Sequence, residues 1–199
     1  MLITIVLVLV IVCAVGVLVY TNLPPNNTTP TPSGGTNETR IPILTIRYNT
    51  EEKNYTFAEI QAFTVYTGKG GYHKNFAGPG SIQQVGNYTG VAITTLINQL
   101  DSIPQNYSIN VTSSDGRYMV YNHSVLLGNL AIYDPLDELN ADPIGAGNFT
   151  MVLAYTFEGE YLNETKDGKL KIAFLNDEGS ITASSLWSKF VVSIDVIAE

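Results

Sequence analysis

Cysteine is almost missing from this chain of 199 residues: there is one, Cys13, and it lies inside an apolar run. Residues 41–199 therefore have no disulfide, no thiolate metal ligand and no cysteine nucleophile. Basic residues are also scarce. Ten Lys and Arg face 18 Asp and Glu, giving a net charge of −8 and a pI near 4.6. That balance disfavours nucleic acid and anionic membrane surfaces as partners. Histidine is limited to His73 and His123. Neither stands in an H-E-x-x-H or comparable metal spacing, and no Ser–His–Asp order can be argued from them. No Lys or Arg precedes the apolar run, so neither the basic region of a secretory signal nor the positive-inside rule applies to it.

The run itself, Leu2 to Tyr20, is interrupted only by Thr4 and Gly16. As a helix it spans roughly 28 Å, close to the hydrocarbon thickness of a bilayer. No small-x-small cleavage site follows, and Val12 stands where a lipobox needs a small residue. Residues 1–20 are expected to be an uncleaved transmembrane anchor. Residues 21–40 (TNLPPNNTTPTPSGGTNETR) carry almost nothing apolar to bury and are expected to be a disordered tether. Ten asparagines head an N-x-Ser/Thr triplet: Asn26, Asn27, Asn37, Asn54, Asn87, Asn106, Asn110, Asn122, Asn148 and Asn163. Random placement would give about three, so the excess points to a glycan-bearing domain outside the cell, anchored to the cell membrane by a single pass.

Residues 41–199 suffice for one domain with a substantial core. The pattern is rich in strands. Ile43–Tyr48 alternates, as do Tyr107-Ile109-Val111 against Asn106-Ser108-Asn110-Thr112, and Phe149-Met151-Leu153-Tyr155. Leu170-Ile172-Phe174 follows a Lys-Asp-Gly turn at 166–168, and Phe190–Ile197 is again strand-like. Ile93, Leu96, Ile97 and Leu100 have the spacing of a short amphipathic helix, which Pro104 stops. Ser124–Leu130 reads as a second short helix. Strands with interspersed short helices define an α+β class.

Several segments, in order, resemble the molybdopterin-binding oxidoreductase domain of the sulfite oxidase type. Tyr55-Thr56-Phe57-Ala58-Glu59-Ile60 is similar to that family's "Y-T-hydrophobic-x-x-L". Gly86-Asn87-Tyr88-Thr89-Gly90-Val91, with Leu96-Ile97, is similar to "G-x-Y-x-G-V-x-L…L-L". Ser114-Asp115-Gly116-Arg117-Tyr118 resembles its "S-D-G-Y" turn with Arg117 inserted. Leu153-Ala154-Tyr155, Gly159-Glu160-Tyr161-Leu162 and Asp167-Gly168-Lys169-Leu170-Lys171-Ile172-Ala173 resemble "L-A-Y…G-x-x-L" and "x-G-P-L-R-I-A", and Trp187 with Val191–Val196 closes the series. The resemblance implies a strand-rich sulfite oxidase-like fold over 41–199. It also implies molybdopterin as the cofactor, held with a metal-ligating cysteine shortly before "G-x-Y-x-G-V". Here that region reads Phe63-Thr64-Val65-Tyr66-Thr67-Gly68, without a thiol, and the "P-L-R" arginine is replaced in Lys169-Leu170-Lys171. An oxygen ligand is a poor substitute for soft thiolate.

The fold without the metal chemistry is therefore expected: a membrane-anchored, extracellular, non-catalytic domain that binds a small molecule or a cell-surface protein. The alternatives are a molybdopterin-dependent oxidoreductase and a structural cell-envelope protein. The segment Gly68–Gly80 has five glycines with Lys69 and Lys74, and its spacing fits no phosphate-loop pattern, so a flexible surface loop is expected. Lys69, Tyr72, His73, Lys74 and Arg117 are the ligand-binding candidates. No catalytic residue and no metal ligand is assigned. Asp134, Asp137, Glu138 and Asp142 read as a solvated acidic turn rather than a calcium site, since the EF-hand spacing is lacking. Trp187 and the Tyr-rich strands read as core or sheet-face residues.

Overall fold

The computed structural model describes residues 41–199. The apolar run and the Pro/Thr/Asn segment lie outside the described residues, and so does the expected anchor. None of the described helices is long and apolar enough to cross a membrane.

The chain opens with the hairpin β1 (Leu44–Tyr48) and β2 (Glu51–Tyr55), then α1 (Phe57–Gln61). Thr56 and Glu59 form a reciprocal capping box at its start. Two long strands follow, β3 (Val65–His73) and β4 (Ile82–Ala92), and then α2 (Ile93–Ile97). Next come β5 (Tyr107–Ser113), β6 (Tyr118–Tyr121) and α3 (His123–Leu126), whose start Asn122 caps. The small pair β7 (Asn129–Ile132) and β8 (Gly145–Asn148) leads to β9 (Thr150–Phe157), β10 (Glu160–Tyr161), β11 (Lys171–Leu175), β12 (Thr182–Ala183) and β13 (Val191–Ala198).

Two sheets carry the domain. The first has the order β2-β1-β13-β5-β6, with β1 and β13 parallel (Thr45 opposite Ser193, Ile46 opposite Ile194). The second has the order β10-β9-β4-β3-β12, with β11 also paired to β9. The first sheet alternates because only one face is buried: Leu44, Ile46, Ile109, Val111, Ile194 and Val196 point inward. In the second sheet β11 and the Met151–Tyr155 stretch of β9 are buried at every position, so neither alternates with polar residues, and β11 encloses Lys171 at its start. One core draws on both sheets, and Tyr121 of the first meets Phe174 of the second with ring centroids 6.1 Å apart.

The strand-rich expectation agrees with this architecture, but the helical share is smaller than an α+β label suggests. All three helices have four or five residues, so the described domain is mostly β. The expected helix over 124–130 is cut short because Gly128, at φ +81°, turns the chain into β7; a Cβ there would fall 1.8 Å from the Phe149 carbonyl oxygen. The flexible loop expected over 68–80 is corrected as well. Gly68–His73 belongs to β3, and only the stretch after it is a loop.

Candidate functional site

The most unusual group in the domain is Lys171, which sits on a fully buried strand with 0 % of its surface exposed. A buried ammonium must be compensated, and here the compensation comes from a carboxylate four residues away and an amide from another strand. Its Nζ donates to Gln84 Oε1 and to Asp167 Oδ1, the latter at 3.2 Å. The same Nζ lies 5.0 Å from the ring centroid of Trp187, 5.4 Å from that of Tyr72 and 5.7 Å from that of Tyr88. Three π-faces thus box one cation. Asp167 Oδ1 accepts a further bond from Lys189 at 2.8 Å.

Local backbone features build this arrangement. Between Gly70/Tyr72 of β3 and Gln83/Gly86 of β4 the register slips, and Gln84 takes φ +52°. This bulge re-aims the Gln84 side chain inward. Gly168, at φ +78°, lets the 166–168 turn close on Phe190; a Cβ there would lie 2.6 Å from the Phe190 Cα. That contact sets Lys189 beside Asp167, and Phe190 N–H donates to the Asp167 carbonyl at 2.8 Å. Trp187 is fixed by its indole N–H, which donates to Thr182 Oγ1 at 2.8 Å.

The electrostatics follow from burial and pairing. Burial pushes the Lys171 amine down to about 8, with Asp167 offsetting part of the loss. Burial alone would raise the Asp167 carboxyl, but the Lys189 hydrogen bond and the neighbouring Lys171 and Lys189 charges hold it below the ordinary carboxylate range. Burial raises the Tyr72 and Tyr88 phenols. The centre is closed and internally satisfied. Two recesses touch it from outside. One, of about 180 Å³, is lined by Gln84, Tyr88, Tyr161 and Asp167. The other, of about 280 Å³, is lined by Arg117, Trp187, Ser188 and Lys189.

The five candidates from the sequence do not converge. Lys69 is exposed at the bridge to Asn176. Tyr72 is buried against Trp187, with ring centroids 5.4 Å apart. His73 is buried to 0 % exposure and stacks on Tyr133 at 5.0 Å and 3°, with neither ring nitrogen bonded. Lys74 begins the loop, and its N–H donates to the Ser81 carbonyl. Arg117 is exposed at the β5–β6 turn beside Asp115, and only Tyr72, through Trp187, adjoins its recess. Lys171, Asp167, Lys189 and Gln84 escaped the sequence reading. The available signal was a lysine inside Leu170-Lys171-Ile172-Ala173-Phe174. At the position where the resemblance implies an arginine, the chain keeps a cation, the buried Lys171.

Six of the acceptor asparagines, Asn54, Asn87, Asn106, Asn122, Asn148 and Asn163, are exposed. Asn110 is half-buried, with Oδ1 enclosed and unbonded. Among the described residues, no three His, Cys, Asp or Glu side chains gather where a metal ion could be held.

No protein-family model matches the chain, and no curated protein matches it. Among solved structures, the sulfane dehydrogenase SoxCD from Paracoccus pantotrophus is similar, with a TM-score of 0.54 at 12 % identity. The match covers 78 % of this chain and 38 % of that one, so this chain spans well under half its length. At such identity the likeness is one of fold. It supports, coarsely, the molybdopterin-binding-like fold that the ordered segments suggest.

The residues present do not fit a molybdenum centre held by thiolate. Residues 41–199 contain no cysteine. The glycines of β3 are not an open cradle either. A Cβ on Gly70 would meet Leu175 at 2.7 Å and the Phe174 carbonyl at 2.8 Å, and one on Gly71 would meet Val85 at 2.8 Å. Protein atoms already fill that space.

Proposed function

We propose that the chain is a membrane-anchored, extracellular domain of sulfite oxidase-like fold that recognises a ligand or a surface partner and carries out no redox chemistry. One observation carries the reading: the buried polar centre of the fold is saturated by the chain's own Gln84, Asp167, Lys171 and Lys189. Its cation occupies the aromatic box that a ligand would otherwise need. The thiol-free composition of residues 41–199 supports the same conclusion from the donor side. The apolar run at 2–20 and the abundance of N-x-Ser/Thr triplets support an anchored, outward-facing placement.

The test uses the full-length chain, purified in detergent from its native membrane. Elemental analysis and pterin fluorescence should find molybdenum and pterin far below one per chain. Stoichiometric amounts of both would overturn the non-catalytic role in favour of a molybdopterin-dependent oxidoreductase. Protease added to intact cells should remove residues 41–199; full protection would overturn the external placement.

A further inference from the structure

Two neighbouring loops, 74–81 and 133–144, display apolar side chains that nothing in the domain covers. Leu136 is 91 % exposed and Leu139 78 %, with Ile144 exposed on the same loop and Phe76 on the other. The loops are stitched together rather than loose. Glu138 accepts from Gly78 N–H and Ser81 Oγ through its carbonyl, and from Gly80 N–H through Oε1. The Asp134 and Asp137 carboxylates accept from the Leu136 and Leu139 N–H groups at 2.8 and 3.0 Å, which fixes the backbone that carries both leucines. At the root, the Tyr133 N–H bonds the Ile181 carbonyl, and the Tyr133 ring lies on His73. The leucines are thus presented in place, with little ordering left to lose on contact.

Charge selects the occupant. Asp134, Asp137, Glu138 and Asp142 surround the leucines, and Lys74 is the single basic residue of the two loops. With a net charge of −8, a second copy of the chain would bring like charge against like. None of the N-x-Ser/Thr triplets falls in either loop, so sugars on the others would leave these segments bare. We infer that Leu136 and Leu139, with their acidic surround, form a docking surface for a partner protein that offers an amphipathic helix with an apolar stripe flanked by Lys and Arg. This deepens the recognition role proposed above by naming its surface and the chemistry of its partner.

The probe is a synthetic amphipathic helical peptide with a leucine stripe and a lysine face, paired with a counterpart carrying glutamate in place of lysine. Fluorescence anisotropy with the full-length chain in nanodiscs should show the lysine peptide binding at least tenfold more tightly than the glutamate peptide. The double variant Leu136→Ser/Leu139→Ser leaves every charge in place and should bind the lysine peptide at least tenfold more weakly. Leu127→Ser, at an exposed leucine outside both loops, should bind it unchanged. Equal binding by the double variant and the parent would overturn the inference, because charge alone would then explain the affinity. Leucine-dependent binding to phosphatidylcholine vesicles with no peptide preference would overturn it in favour of a membrane surface. A chain that carries molybdenum yet binds the peptide would refute the non-catalytic role and leave the docking surface standing.

Discussion

Lys171 and His73 are the two most deeply buried ionisable side chains of the second sheet, and they are treated in opposite ways. The lysine collects an amide, a carboxylate and three aromatic faces. The histidine has one stacked tyrosine and no hydrogen bond at either nitrogen. An ammonium cannot be withdrawn from water without near-complete replacement of its hydration, whereas a buried polar atom left without a partner costs roughly 1–3 kcal/mol. The Lys171 centre therefore ties together β4, β11 and the 167–190 region, while the His73 stack braces only the root of two surface loops.

Breaking the shared acceptor should have the largest effect. Asp167→Ala leaves the buried Lys171 ammonium without its carboxylate and beside the half-buried Lys189, and urea denaturation should show a loss of about 3–5 kcal/mol. The pH dependence tests the same centre without mutation. Because the folded amine titrates near 8 and the unfolded amine near the ordinary lysine value of 10.5, the unfolded chain binds more protons in between. Stability should rise by about 2 kcal/mol from pH 8 to 10 relative to Lys171→Met, which removes that titration. A flat difference would show that the amine is not depressed. At neutral pH Lys171→Met itself should cost less, about 1–2 kcal/mol, since Asp167 keeps Lys189 and the methionine still fills the aromatic box. The smallest effect belongs to the other side of the comparison. His73→Phe keeps the stack and removes both unbonded nitrogens, so its thermal midpoint should be unchanged or slightly raised. A clear fall would mean that the imidazole has a partner of its own.

How far the sequence foretold this molecule depends on which faces water touches. Strands β1, β5 and β13 have one solvated side, and their alternation could be read directly. The alternation read over Phe149-Met151-Leu153-Tyr155 implied one buried face, but Val152 and Ala154 between them are buried as well, as is every residue of β11. Gly68–His73 misled because glycine usually marks a loop. Here Gly68, Gly70 and Gly71 are narrow places in a strand, where Leu175, Trp187, Val85 and Ile181 press on the backbone. The polar centre stayed hidden for another reason. Asp167 and Lys171 are four residues apart, but Gln84 and Lys189 come from other segments, and a bulge at Gln84 and a tight turn at Gly168 bring them within bonding distance. The acidic turn at 134–142 was visible as a charge cluster, but its grip on Gly78, Gly80 and Ser81 was not.

The parallel pairing of β1 with β13 has a consequence for biosynthesis. β13 lies at the centre of the first sheet, between β1 and β5, although it follows every other strand of this domain in the chain. The hairpin of β1 and β2 must wait, half-finished, while everything between is translated, and such long-range closure is slow. A nascent chain stalled before Val191 would expose the edges of β1 and β5 at once, and they stay unpaired until the eight-residue strand β13 slides into the gap.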